Sequence, residues 1–116
     1  MDRNVTIPLE EPLFGFPIRC TATRLDEGLH VLITGGIKTH IGAVSICRPE
    51  EEPETKFFPG HKDQFVSAFW AEALANKLGE PTCVVCGIHY DDISKEQITQ
   101  IMTVTDKLLS RLLQQI

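Results

Sequence analysis

The sequence predicts an α+β fold, a single domain with a mainly antiparallel sheet of about four to five strands and two helices, in the order β-β-β-α-β-α. Three observations carry that expectation. Short runs in which apolar and polar residues alternate fill the first half of the chain. Two longer stretches with helical periodicity, each bounded by a helix start or stop signal, lie in the second half. A continuous apolar run separates the two. At 116 residues the chain fits one domain and can bury a core without metal or disulfide staples. No internal repeat or linker is visible.

Residues 1–17 hold Pro8, Pro12 and Pro17 without a sustained period, which reads as an extended N-terminal arm. In residues 18–25, Ile18, Cys20 and Ala22 share one face while Arg19, Thr21 and Thr23 share the other, the pattern of a half-buried strand. Asp26-Glu27-Gly28 supplies a tight turn, and residues 29–34 return as the second strand. The glycines of residues 35–42 then interrupt the sheet. Residues 43–48 resume it, with Val44 and Ile46 on one face. Residues 49–59 carry Glu50, Glu51, Glu52 and Glu54 and read as a solvated loop, with a short edge strand at 55–58.

The first helix is predicted from Lys62 or Asp63 to Gly79. Phe65, Phe69 and Ala73 recur at four-residue spacing, flanked by Val66, Trp70 and Leu74. Gly79 is a C-terminal cap and Pro81 a stop. Residues 82–90 read as a central strand. Ser94-Lys95-Glu96-Gln97 is a capping box that opens the last helix, whose apolar stripe runs Ile98, Ile101, Met102, Thr105, Leu108, Leu109, Leu112 and Leu113.

A net charge of −5 argues against nucleic acids and anionic membranes, which are bound by neutralising phosphates with Lys and Arg. No apolar run approaches the ~20 residues of a membrane-spanning helix. The start of the chain lacks a basic region followed by an apolar stretch, so a cytoplasmic protein is expected. Cys20, Cys47, Cys83 and Cys86 sit in strand-like apolar runs and read as packed thiols. Cys83 and Cys86 form a C-x-x-C, but residues three apart on a strand point to opposite faces, which argues against redox or zinc chemistry. The strand face away from the core is expected to carry Leu32, Ala43, Cys47, Cys83 and Val85. Such a face is too apolar for water, so a homodimer is expected to cover it; the alternative places the two helices on opposite faces.

Chemistry concentrates around three histidines beside glycines: His40 after Gly35-Gly36 and before Gly42, His61 between Gly60 and Lys62, and His89 between Gly87 and Asp91. Glycine lets backbone amides approach a ligand, and a run of exposed amides forms an anion-binding nest. The segment Gly60-His61-Lys62-Asp63 adds a helix start, whose amides and dipole favour a phosphate, with Lys62 as a positive charge. A phosphorylated cofactor suits these groups if the three loops meet. A metal site is the rival reading, since His40, His61, His89 and Asp91 are competent ligands, although no pair shows metal-ligand spacing on a helix. No nucleophile elbow or P-loop is present. Asp91-Asp92 leads into the last helix, and Asp91 can orient His89.

These same motifs, Gly35-Gly36 with Thr39-His40-Ile41-Gly42, Gly60-His61-Lys62-Asp63, Gly87-Ile88-His89 through Asp91-Asp92 to Ile93, and Lys95-Glu96-Gln97-Ile98, resemble the prenylated-flavin chaperone family, the LpdD-like proteins, over residues 18–113. The resemblance implies a non-catalytic accessory protein that binds or delivers prenylated FMN to a UbiD-type aromatic acid decarboxylase. It implies cofactor-binding roles for Gly35, Gly36, His40, Gly42, His61, Lys62, His89 and Asp91, and it implies no resident metal. Two other functions fit the residues: an assembly chaperone that holds no small molecule, and a small metal-dependent enzyme built on the histidines.

Overall fold

In the computed structural model, residues 5–59 and 63–116 are described. The elements are β1 (Thr6–Glu11), β2 (Ile18–Arg24), β3 (Leu29–Gly36), β4 (Ala43–Cys47), β5 (Glu54–Phe57), α1 (Asp63–Leu78), β6 (Thr82–His89) and α2 (Lys95–Leu113). They form one six-stranded sheet in the order β1-β2-β3-β6-β4-β5. Four of its five pairings are antiparallel, and β3 with β6 is parallel. The α+β class and two helices agree with the sequence reading, whereas six strands exceed the four to five expected.

The additional strand, β1, lies within the segment read as an arm. Its inward residues Ile7 and Leu9 sit opposite Ala22 and Cys20 and join the core. Pro8 is tolerated there because β1 is an edge strand, where a missing N–H breaks no ladder bond. Gly35 and Gly36 also belong to the sheet rather than interrupting it, in register with Ile88 and His89 of β6.

Both helices cover the same face. α1 packs on β4, β6 and β5, and α2 packs on β1 and β2. The core between them and the sheet holds Ile18, Cys20, Val31, Ile33, Val84 and Cys86 from the strands, with Trp70, Leu74, Leu108 and Leu112 from the helices. The capping box is formed: the Ser94 hydroxyl accepts from Gln97 N–H and the Gln97 side chain accepts from Ser94 N–H. Gly79, at φ +70°, donates its N–H to Ala75 O and closes α1.

In α1 the buried stripe is Val66, Trp70 and Leu74 with Ser67, Ala71 and Ala75, while Phe65 and Phe69 are 63% and 60% exposed. The sheet takes the stripe that carries small residues and a hydroxyl. Ser67 Oγ lies 2.8 Å from Ser45 Oγ, which in turn lies 2.7 Å from Thr55 Oγ1, so a buried chain of hydroxyls ties α1 to β4 and β5. Met102 of the α2 stripe is likewise exposed.

The uncovered face carries Leu32, Val44, Ile46, Cys83 and Val85, none of them fully buried. Ala43 and Cys47, expected there, are each only 1% exposed on the helix side. The antiparallel register of β4 on β6 sets Ala43 opposite Cys86 and Cys47 opposite Thr82, which are themselves covered. Cys83 and Cys86 therefore lie on opposite faces, and all four cysteines are free. Burial pushes the Cys20 thiol up to about 12 and raises those of Cys47 and Cys83. No helix among the described residues is long and apolar enough to cross a membrane.

Candidate functional site

The parallel pairing of β3 with β6 brings the C-terminal ends of both strands to one end of the sheet. β4, antiparallel to β6, begins at that same end. The segments that follow Gly36, precede Ala43 and follow His89 therefore meet there, and Asp63 at the start of α1 joins them. His40 and His89, 49 positions apart in the chain, come together with ring centroids 6.4 Å apart and planes at 84°.

Each imidazole is held by a carboxylate. His40 Nε2 lies 3.2 Å from Asp63 Oδ2, and His89 Nε2 lies 2.9 Å from Asp91 Oδ1. His40 Nδ1 also lies 3.4 Å from the Lys38 carbonyl. Asp63 is buried. Its Oδ1 accepts the Ile88 N–H at 3.0 Å, and the Cys86 thiol donates to it at 3.7 Å. Burial first, and the adjacent Asp63 charge second, push the Cys86 thiol well above its ordinary range, so it stays protonated and can donate. A carboxylate this buried is stabilised by such donors and by the helix dipole at whose positive end it sits.

The glycines make this arrangement possible by close approach of protein to protein. A Cβ on Gly42 would stand 1.9 Å from Asp63 Oδ2, and one on Gly87 would stand 1.7 Å from the His40 carbonyl oxygen. Gly36, at φ +88°, would meet the His89 carbonyl oxygen at 1.8 Å. The same backbone seams are hydrogen-bonded: Ile37 N–H donates to His89 O, Gly42 N–H to Cys86 O, and Phe58 N–H to Gly42 O. The amides of Ile37 and Gly42 are thus engaged inside the fold.

A cleft of about 330 Å³ opens between Lys38, His40, Ile41, Phe58 and His89. The structure thus gathers Gly36, His40, Gly42, His89 and Asp91 at one place, with Gly35 one residue behind in β3. His61 and Lys62 lie outside the described residues. Sequence reading missed Asp63 as the carboxylate behind His40, because an acid at a helix start reads as a dipole complement. It also missed Lys38, Ile41 and Phe58 as cleft residues; large apolar side chains beside Gly42 and Pro59 in loops were the available signal. Among the described residues no group of three or more His, Cys, Asp or Glu side chains is arranged to hold a metal ion.

Comparison with known proteins places the chain in a family. One solved structure, from a crystal structure of a novel chaperone complex for yeast 20S proteasome assembly, shares the fold with a TM-score of 0.59 at 13% identity, covering 93% of this chain and 94% of that one. A curated relative, Protein LpdD of Lactiplantibacillus plantarum, is 31% identical over 99 residues, which is 81% of this chain and 73% of the relative. Residues 13–116 match the prenylated flavin chaperone LpdD-like domain. The chain belongs to the LpdD-like prenylated flavin chaperone family.

Proposed function

We propose that the chain binds prenylated FMN transiently in the cleft between His40 and His89 and hands it to a UbiD-type aromatic acid decarboxylase, without catalysing a reaction itself. The observation that carries this reading is the convergence of two carboxylate-held imidazoles and Lys38 on one cleft at the end of the sheet. Family membership supports the cofactor class, and the polar residues lining the cleft support a phosphorylated ligand there. In this reading Lys38 supplies a positive charge for the phosphate, and the two imidazoles, each fixed by a carboxylate, line the polar part of the site.

The cleft lies near the lower end of the 300–1,000 Å³ range of small-molecule sites. A flavin nucleotide therefore stays partly outside it, reachable by the receiving protein. A carrier needs this balance: a few charge-assisted contacts hold the cofactor, and shallow seating keeps release cheap.

Anaerobic titration of the full chain with prenylated FMN and with FMN, followed by absorbance and calorimetry, tests the reading. Saturable binding is expected, weakened at least about tenfold by Lys38→Ala, the value of a charge-assisted hydrogen bond, and weakened also by His40→Ala and by His89→Ala. A folded chain that binds neither flavin overturns it.

A further inference from the structure

The cleft is lined by side chains of two chemical kinds: Lys38, His40 and His89 are polar, and Ile41 and Phe58 are apolar. We infer that Ile41 and Phe58 are the specificity-determining residues of the site, the pair that selects a prenylated flavin over a plain one. This rests on the cofactor reading above and deepens it.

Three observations support the assignment. Ile41 and Phe58 are 60% and 59% exposed, and neither belongs to the core cluster, so packing does not account for them. Both are held on fixed backbone. Ile41 immediately precedes Gly42, whose N–H donates to Cys86 O and whose carbonyl accepts the Phe58 N–H at 3.0 Å. That bond joins the two backbone segments that carry these side chains, both of which line the cleft. Finally, they share the cleft with groups that hold charge and hydrogen bonds, so a ligand seated there meets both apolar and polar side chains.

Plain and prenylated flavin mononucleotides share the phosphate, the ribityl chain and the polar edge of the ring. Imidazoles and an ammonium recognise those common parts and cannot separate the two molecules. What differs is the added isoprenoid-derived carbon, which gains only from apolar surface removed from water. An apolar pocket discriminates a single methylene by about 10- to 200-fold, so an apolar pair that meets the isoprenoid carbons is sufficient. A rigid pair of exposed apolar side chains also loses little conformational freedom when the ligand arrives.

The test measures Kd for prenylated FMN and for FMN, anaerobically, on the native full chain and on Phe58→Ala, Ile41→Ala and Phe58→Leu, each checked for native circular dichroism. The native chain is expected to favour prenylated FMN by at least about tenfold. Phe58→Ala and Ile41→Ala should bring the ratio to within about threefold while the FMN Kd moves by less than about threefold; Phe58→Leu should keep most of the preference. A native chain that binds both flavins equally, or an unchanged ratio in both alanine variants, overturns the inference and leaves the cofactor reading standing. Binding of neither flavin by the native chain overturns both.

Discussion

At Asp63 the two carboxylate oxygens face different tasks. Oδ1 joins α1 to β6 through the Ile88 amide and the Cys86 thiol, and Oδ2 orients His40. Gly42 sits against the same carboxylate with no room for a methyl group. Gly42→Ala must displace Asp63 and break those bonds, so we expect a loss of about 2 kcal/mol, the scale of an overpacked interior site with a disrupted hydrogen bond. A urea denaturation midpoint equal to that of the native chain would show that the carboxylate yields without cost. The histidines of the site were legible in the sequence because glycines flank them and strand-to-loop transitions expose them. Asp63 was not, since its role depends on a contact across 23 positions that only the β4–β6–α1 packing creates.

Among the elements, α2 was the most legible. Its start is written in four residues, and the structure forms both reciprocal bonds of the capping box. Ser94→Ala is expected to destabilise the protein by about 1 kcal/mol, read from the chemical denaturation midpoint; no change would mean that the box is redundant with the tertiary packing of the helix. α1 was legible in extent but not in orientation. Its apolar residues form two adjacent stripes, and periodicity alone cannot say which one a sheet will take. The hydroxyls of Ser45 and Ser67 favour one of them, a pairing visible only once β4 lies beneath the helix. β1 escaped recognition for a related reason. Three prolines argue against a central strand, and whether a strand is an edge is a property of the sheet rather than of the segment.

On the scale of the whole molecule, one face of the sheet is covered by both helices and the other is left open. Leu32, Val44, Ile46, Cys83 and Val85 lie across the open face, and each end of it carries both signs of charge: Glu10 with Arg19 on β1 and β2, Lys56 with Glu54 on β4 and β5. A second copy related by a two-fold axis can bury the apolar centre and set unlike charges against one another at both ends. We propose that the chain dimerises through this face. Sedimentation equilibrium at micromolar concentration should give twice the chain mass, and Ile46→Glu should return it to the monomer. A monomeric native chain would exclude this arrangement. The class of fold was readable from alternation, as were Leu32, Cys83 and Val85 of the open face, but β4 was assigned the wrong way round and the parallel β3–β6 pair was not readable, because strand order is set by pairings across 53 positions.

The central place of β6 bears on when the protein becomes competent during synthesis. Among the described residues β6 is the seventh of eight elements in chain order, yet it is the strand that lies between β3 and β4 in the sheet. A nascent chain that ends before Thr82 is two unconnected halves, β1-β2-β3 and β4-β5. In that state His40 and Asp63 have already been made, but the Ile88 amide, the Cys86 thiol and His89 have not. The cleft is therefore complete only once β6 lies between β3 and β4 and His89 stands beside His40.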